Sequence, residues 1–249
     1  MASETILDVA GVSIQYGVIR VVNGVSLALR SGERHALLGT NGAGKTSLFN
    51  GIAGEVPLAA GRISFRGREI SGLKAYQRAR LGIARTFQTS LSFGDRSVRE
   101  NMRVSLLGNG SPPIGIRPWS RMPAMERRVD DALQAFGLME VSAQPVGELS
   151  YGQQREIELC MALIGKPDLL LLDEPAAGMS PQARKELVRR LEALPRDITM
   201  LFVEHDMDVA LRLADRVTVM RDGEIVATGT PDAIRANPVV KEIYLGKSH

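Results

Sequence analysis

The stretch GTNGAGKT at residues 39–46 constrains the fold of this 249-residue chain more than any other segment. It matches the pattern G-x-x-x-x-G-K-[ST] and lies between a predicted strand at 34–38 and a predicted helix at about 45–53. A glycine-rich turn in this context directs backbone N–H groups at phosphate oxygens, and the helix N-terminus adds about half a positive charge. A plain glycine turn with a solvated lysine is the alternative, and the spacing and the context both disfavour it.

The members of this loop have different expected roles. Its glycines let the backbone curl around the phosphates. Lys45 supplies positive charge to the β- and γ-phosphates, and the Thr46 hydroxyl is a predicted ligand of Mg²⁺. The candidate nucleotide-binding residues in the loop are Gly39, Thr40, Asn41, Gly42, Ala43, Gly44, Lys45, Thr46 and Ser47.

Two acids end the apolar run LLLLDEP at residues 169–175. Four leucines without alternation predict a strand that is buried on both faces of a parallel sheet. Acids at the end of such a strand need a partner or a metal. Asp173 is therefore a candidate to hold Mg²⁺ through water, and Glu174 is a candidate to polarise the water that attacks the γ-phosphate. A solvated acidic loop is the alternative.

The segment LSYGQQRE at 149–156 predicts the start of a helix. Ser150 can cap it, and Gln153 lies where a capping box requires it, ahead of an apolar run. The small residues Ser150 and Gly152 leave backbone N–H groups of this helix end uncovered. A helix end of this kind attracts an anion.

His205, in the segment FVEHD, also follows a predicted buried strand. A single histidine is more often structural than catalytic. In an open parallel sheet, however, the carboxyl ends of the strands form the edge where ligands bind, which makes His205 a candidate site residue. We expect His35 to be structural and His249 to be terminal. Gln88 follows a strand-like segment, LGIART, and its composition alone assigns it no role.

The order of elements predicts a single α/β domain over residues 1–249. The first third combines antiparallel strands with one strand–loop–helix unit, residues 96–148 are mainly helical, and strands and helices alternate after residue 169. Asp-Gly at 222–223 predicts a hairpin. Residues 108–124 are rich in Gly and Pro and predict an exposed loop.

The composition limits the cellular setting. Apolar residues make up 44% of the chain, and the small net charge of +3 argues neither for nor against a nucleic-acid partner. The aromatic content of 4% disfavours a protein that works by stacking on bases. The N-terminus has no signal-peptide pattern, and no apolar run approaches the ~18 residues of a membrane span. We therefore expect a cytoplasmic protein whose membrane role, if it has one, depends on a partner. Cys160 is the single cysteine, and we expect it to pack as a small hydrophobe.

Taken together, these segments resemble the ATPase subunit of ABC transporters over essentially the whole chain. The resemblance depends on the order of Tyr16, GTNGAGKT, Gln88, LSYGQ, LLLLDEP and His205. It implies a P-loop NTPase fold of the α/β class: a RecA-like parallel-sheet core, an N-terminal antiparallel β subdomain, and a helical subdomain inserted at about 89–160. ATP and Mg²⁺ are the implied cofactors.

The resemblance also implies a role for each site residue. Tyr16 would stack on the adenine, Glu174 would be the general base, and His205 would contact the γ-phosphate. Gln88 would contact the metal and the attacking water. Two subunits would face each other head to tail, so that Ser150, Gly152 and Gln153 of one copy cap the ATP held by the other. The implied metal residues are Thr46, Gln88 and Asp173.

Two positions depart from the family pattern. Tyr151 stands where the usual signature LSGGQ has its first glycine, and Ser180 ends the D-loop, residues 177–180, where an aspartate is common. Function should survive the first change because Ser150 and Gly152 are retained. The second leaves the coupling across the dimer open.

Three features resemble the ATPases of branched-chain and hydrophobic amino-acid uptake systems: LSYGQQREIELCMALIGKPDLLLLDEPAAGMSP, VEHDMDVAL and an ending in EIYLG. The implied partners are transmembrane permeases, a second ATPase subunit and, indirectly, a periplasmic binding protein, with no nucleic acid. The implied location is the cytoplasmic face of the inner membrane, as a peripheral subunit.

Three alternatives stay open at this point. The first is a relative with another cargo: urea or amides, aromatic acids, or exported lipopolysaccharide. The second is a soluble ABC ATPase of DNA repair or translation, which the short spacing between Gln88 and Leu149 and the single ATPase domain disfavour. The third is a module that binds nucleotide without hydrolysis. It is disfavoured by four intact residues: Lys45, Asp173, Glu174 and His205.

Overall fold

The structure, a computed structural model, describes residues 4–86, 92–108 and 122–245. Within these ranges the chain forms ten strands and nine α-helices. The strands are β1 Thr5–Tyr16, β2 Ile19–Arg30, β3 Arg34–Gly39, β4 Ala60–Phe65, β5 Arg68–Glu69, β6 Ile83–Arg85, β7 Leu169–Asp173, β8 Thr199–Val203, β9 Arg216–Arg221 and β10 Glu224–Gly229. The helices are α1 Lys45–Ala53, α2 Ala75–Arg80, α3 Val98–Gly108, α4 Pro123–Ala135, α5 Tyr151–Leu163, α6 Pro181–Ala193, α7 Met207–Leu213, α8 Pro231–Ala236 and α9 Pro238–Leu245.

The larger sheet has the strand order β10-β9-β3-β8-β7-β6. Neighbouring strands from β9 to β6 are parallel, and only β10 is antiparallel to its neighbour. Every residue of β3, β7 and β8 is buried. This burial confirms the parallel strand predicted from the four leucines, because only a strand covered on both faces tolerates a continuous apolar run. The carboxyl ends of β3, β8 and β7 lie side by side.

The smaller sheet is antiparallel, with the order β2-β1-β4-β5, and it accounts for the alternating pattern of the first 30 residues. The Asp-Gly turn between β9 and β10 is also confirmed. Asp222 and Gly223 both have positive φ, 50° and 82°, as a tight hairpin turn of this kind requires. Helix α2 is an element that the sequence pattern does not predict.

Helices α3, α4 and α5 share their own cluster of buried side chains, which includes Val98, Leu133 and Ile157. Cys160 belongs to it, and burial raises the pKa of its thiol to about 12, in keeping with the expected apolar packing. The limits of the inserted helical subdomain, about 89–160, stay a prediction, as does the single domain over 1–249. Most of the Gly/Pro-rich segment 108–124 lies outside the described residues.

Across these ranges, no helix is both long and apolar enough to cross a membrane.

Candidate functional site

The glycine-rich loop joins β3 to α1 and is shaped by close backbone contacts. Gly39 has φ 150° and Gly44 has φ 91°, both in the region that favours glycine. A Cβ atom at Gly39 would overlap the Met220 carbonyl oxygen, and one at Gly44 would overlap the Val21 carbonyl oxygen. The two glycines are therefore required by the packing of this loop against β9 and β2, as well as by its turn.

Lys45 is the first residue of α1, and its side chain is buried against the loop. Its Nζ donates hydrogen bonds to the carbonyl oxygens of Gly39 and Thr40, both at 2.9 Å. Burial lowers the pKa of Lys45, and the nearby carboxylates of Glu174 and Asp173 oppose that shift. A buried ammonium group thus sits among the loop carbonyls with two acids close by. A charged phosphate would be a stronger hydrogen-bond partner for this ammonium group than the neutral loop carbonyls are.

Asp173 ends β7 with its side chain 3% exposed. Its Oδ2 accepts a hydrogen bond from Arg85 Nη2 at 3.1 Å, and its Oδ1 is buried without a hydrogen-bond partner among the described residues. Burial raises the pKa of this carboxyl, while the Arg85 guanidinium opposes the rise. A buried oxygen left unpaired is costly unless a ligand completes it.

This free oxygen fits a magnesium ion held beside bound phosphates. In the part of the chain that the structure describes, no group of three or more His, Cys, Asp or Glu side chains could hold a metal by itself. Mg²⁺ does not require such a cage, since it is usually held by one or two protein oxygens, water and substrate phosphates. The Asp173 carboxylate and the hydroxyl of Thr46, which is exposed on the first turn of α1, are donors of that kind.

Glu174 and His205 contact each other at the ends of β7 and β8. The Oε1 atom of Glu174 lies 2.5 Å from His205 Nε2. Glu174 has left the strand conformation, with φ 48°, which separates its side chain from that of Asp173. Glu204 is almost fully buried and accepts hydrogen bonds from the backbone N–H groups of Ala176 and His205, so it ties the two strand ends together.

The predicted capping box at the start of α5 is confirmed. Ser150 Oγ accepts a hydrogen bond from the Gln153 N–H at 3.4 Å, and Gln153 Oε1 accepts one from the Ser150 N–H at 3.1 Å. The Gln153 side chain is therefore engaged within its own helix end. Gly152 lies between these two capping-box residues, in the first turn of α5, and this helix end belongs to a different part of the fold from the glycine-rich loop.

Tyr16 is the last residue of β1, and its side chain is 47% exposed. The hairpin that it shares with β2 reaches the glycine-rich loop, because Val21 of β2 approaches Gly44. Tyr16 thus lies on the element that borders this loop, and its exposed ring is available to a ligand. Gln88 lies outside the described residues.

The structure brings the loop, Asp173, Glu174 and His205 to one edge of the parallel sheet, as the sequence predicts. Three further residues support this edge and were not predicted: Arg85 beside Asp173, Glu204 beside His205, and Tyr244 of α9. The Tyr244 hydroxyl accepts a hydrogen bond from the Gly39 N–H at 2.9 Å. The only sequence signal for Arg85 was a charged residue at the end of a strand-like segment.

Comparisons with known proteins agree with this site. The family model described as ABC transporter matches residues 22–177. A second model, described as Branched-chain amino acid ATP-binding cassette transporter, matches residues 224–249. The chain is 36% identical to the high-affinity branched-chain amino acid transport ATP-binding protein LivG of Salmonella typhimurium, with 99% of this chain and 100% of that relative covered. It is 34% identical to BraF of Pseudomonas aeruginosa, a protein of the same description, over the same shares.

Solved structures of ATP-binding cassettes also match this fold. The fold superimposes on the ADP conformation of MJ1267, an ATP-binding cassette of an ABC transporter, with a TM-score of 0.84 and 28% identity. A nucleotide-free ATP-binding cassette from an ABC transporter gives a TM-score of 0.84 at 29% identity. Each comparison covers 98% of this chain and 100% of the other chain.

Proposed function

This chain belongs to the ABC transporter family as an ATP-binding, ATP-hydrolysing cassette, and we propose that it powers the import of branched-chain or other hydrophobic amino acids. The observation that carries the ATPase part is the meeting of the glycine-rich loop, Asp173 and the Glu174–His205 pair at one sheet edge. The cargo part is supported by the names of the relatives LivG and BraF and by the family model at residues 224–249.

In the proposed reaction the loop amides and Lys45 hold the β- and γ-phosphates. Glu174 accepts the proton of the attacking water, and His205, in contact with Glu174 Oε1, orients that carboxylate and reaches the γ-phosphate. Tyr16 covers the adenine. Mg²⁺, held by Thr46 and Asp173 and by Gln88 as the resemblance implies, would supply positive charge to the phosphate oxygens.

The second half of each ATP site would come from another subunit. Ser150, Gly152 and Gln153 lie at the N-terminus of α5, which carries positive partial charge and is suited to a phosphate. In a head-to-tail dimer this helix end would cap the γ-phosphate bound by the partner's loop. ATP then stabilises the closed dimer, and hydrolysis releases it.

The variant Glu174→Gln tests the assignment of the base. It should bind MgATP with the wild-type Kd but lose about 10²–10⁴-fold in turnover, because the amide cannot accept the proton. The uncleaved ATP should also hold a stable dimer, which light scattering would detect.

Glu186→Gln is the matched control, since Glu186 is an exposed glutamate on α6. It should keep the wild-type turnover and show no ATP-trapped dimer. Wild-type hydrolysis by Glu174→Gln would refute the role of Glu174, and loss of turnover without dimer formation would refute the shared site.

The permease partner is supported by a groove between the core and the helical elements. It has a volume of about 360 Å³ and includes apolar side chains such as Ala79, Ile83, Val104 and Met161. We propose that a permease segment occupies this groove at the cytoplasmic face of the inner membrane. Arg85 and Glu55 also line it, which joins the groove to Asp173.

Mild solubilisation of native membranes, followed by identification of the proteins that co-purify with the tagged chain, tests the transport role. We expect two permeases, a second ATPase subunit and an amino-acid-binding protein. Co-purification of a binding protein for urea, amides or aromatic acids would show that the cargo is one of these compounds instead. Co-purification of an export assembly would show that transport runs outwards. A set of soluble partners without a permease would refute transport and leave the ATPase proposal intact.

A further inference from the structure

Tyr151, which stands where the usual signature motif has a glycine, contacts the D-loop of its own chain. Its hydroxyl donates a hydrogen bond to the Ala177 carbonyl oxygen at 3.1 Å. The ring also borders Gly178, since a Cβ atom built there would lie 3.4 Å from the Tyr151 hydroxyl oxygen. A glycine at position 151 would make none of these contacts. The departure from the family pattern therefore creates a link between the start of α5 and the D-loop.

The same residue continues the link to the proposed general base through its N–H group. The Ala177 N–H donates a hydrogen bond to the Glu174 carbonyl oxygen at 3.0 Å. Ala177 is thus held on one side by the backbone of Glu174 and on the other by the hydroxyl of Tyr151. Ala177 and its two hydrogen bonds therefore connect the start of α5 with Glu174. In the proposed dimer the start of α5 would face the partner's ATP, and Glu174 would act on the ATP bound by its own chain.

The tyrosine is fixed in this position by Arg155, one turn further along α5. Arg155 donates to the Tyr151 hydroxyl from Nε at 3.0 Å and from Nη2 at 2.8 Å, and its guanidinium lies 5.0 Å from the centre of the ring. Glu158 binds the same guanidinium at 2.7 Å, with both side chains 10% exposed. At the far end of the D-loop, Ser180 caps α6. The link is therefore anchored at both ends.

We propose that Tyr151 is a positioning residue that couples the two ATP sites of the dimer. When the α5 end of one chain closes on the partner's phosphate, the Tyr151 hydroxyl carries the displacement through Ala177 to Glu174, which serves the chain's own ATP. Closure at one site then aligns the base at the other. This inference depends on the proposed head-to-tail ATPase, and it adds a route for cooperativity that the shared site by itself does not contain.

The variant Tyr151→Phe tests the link, because it keeps the ring beside Arg155 and removes only the hydroxyl. Loss of one hydrogen bond should lower kcat about threefold to tenfold. The Hill coefficient for ATP should fall from the wild-type value towards one. The Kd of the separate subunit for ATP should stay unchanged, since Tyr151 does not contact the glycine-rich loop. A purely structural role would instead lower the melting temperature without changing the Hill coefficient.

Ser26→Ala is the control for the loss of a hydroxyl. Ser26 accepts a hydrogen bond from the Gly11 N–H at 2.8 Å in the antiparallel sheet, so this variant should keep the wild-type kcat and Hill coefficient. Tyr151→Gly restores the usual residue and should reproduce the loss seen in Tyr151→Phe. A Tyr151→Phe protein with the wild-type Hill coefficient would overturn the inference, as would a defect confined to Tyr151→Gly. Absence of ATP hydrolysis in the wild-type protein would instead overturn the proposed function.

Discussion

Replacement of Arg85 by methionine should destabilise the chain, because Arg85 is the charge partner of a buried aspartate. Its side chain is 10% exposed and lies between Asp173 Oδ2, at 3.1 Å, and Glu55 Oε2, at 2.7 Å. The guanidinium also lies 5.0 Å from the centre of the Phe49 ring. Methionine has a similar length and keeps the apolar contacts of the stem, so the change removes mainly the charge and its hydrogen bonds.

The expected loss follows mainly from the burial of Asp173. Asp173 is 3% exposed, and leaving one partner of a buried ion pair without its counter-charge costs about 3–5 kcal/mol. The lower end applies here because the Lys45 ammonium lies near the same carboxylate. Glu55 is 30% exposed, and its loss of the pair adds little. A loss of about 3 kcal/mol should lower the melting temperature by about 6–12 °C.

The pH dependence of the loss identifies its cause. Burial already raises the pKa of Asp173, and removal of Arg85 should raise it further. A carboxyl whose folded-state pKa lies above its unfolded-state value destabilises the fold at high pH and ceases to do so as the pH falls through the folded-state value. The loss caused by Arg85→Met should therefore be larger at pH 8 than at pH 5. Urea unfolding at the two pH values measures this difference.

Two further variants make the test decisive. Asp173→Asn in the Arg85→Met background should recover part of the stability, because no buried charge is left unpaired. Arg66→Met is the matched control: Arg66 pairs with Asp168 at the surface, with 58% and 31% exposure, and should change stability by less than about 1 kcal/mol. The reasoning is refuted if Arg85→Met lowers the free energy of unfolding no more than Arg66→Met does. It is also refuted if adding Asp173→Asn to Arg85→Met recovers none of the lost stability.

Two other variants test the loop itself. Lys45→Ala should weaken ATP binding by about 100-fold, because the Lys45 ammonium group is the charged donor to the phosphates. Isothermal titration calorimetry measures the Kd, and an unchanged Kd would contradict this role. Tyr244→Phe should weaken ATP binding by about fivefold, because the Gly39 N–H loses its acceptor and the loop loses its fixed shape, and titration with a fluorescent nucleotide measures the change.

The sequence predicts well those parts of the fold that a local pattern determines. The run of four leucines identified a strand buried on both faces, Asp222-Gly223 identified a hairpin, and Ser150 with Gln153 identified a helix start. Each pattern has a spacing that the backbone geometry fixes within a few residues. The short helix α2 has no such pattern, since only Arg78 is buried among its six residues. That arginine instead donates to the carbonyl oxygens of Gly51 and Ile52 near the end of α1.

The residues expected to contact ATP could be predicted because phosphate binding requires particular residue types at fixed spacings along the chain. The residues that hold them in position could not. Arg85 is 88 residues from Asp173, and Tyr244 is 205 residues from Gly39, so both contacts arise from the way the strands and the last helix pack together. Tyr151 is intermediate: the sequence marked it as a departure from the family pattern, but only the fold shows the carbonyl group that it binds. Substitutions at such supporting positions should therefore change kcat, cooperativity or stability, whereas substitutions in the motifs should abolish binding or hydrolysis.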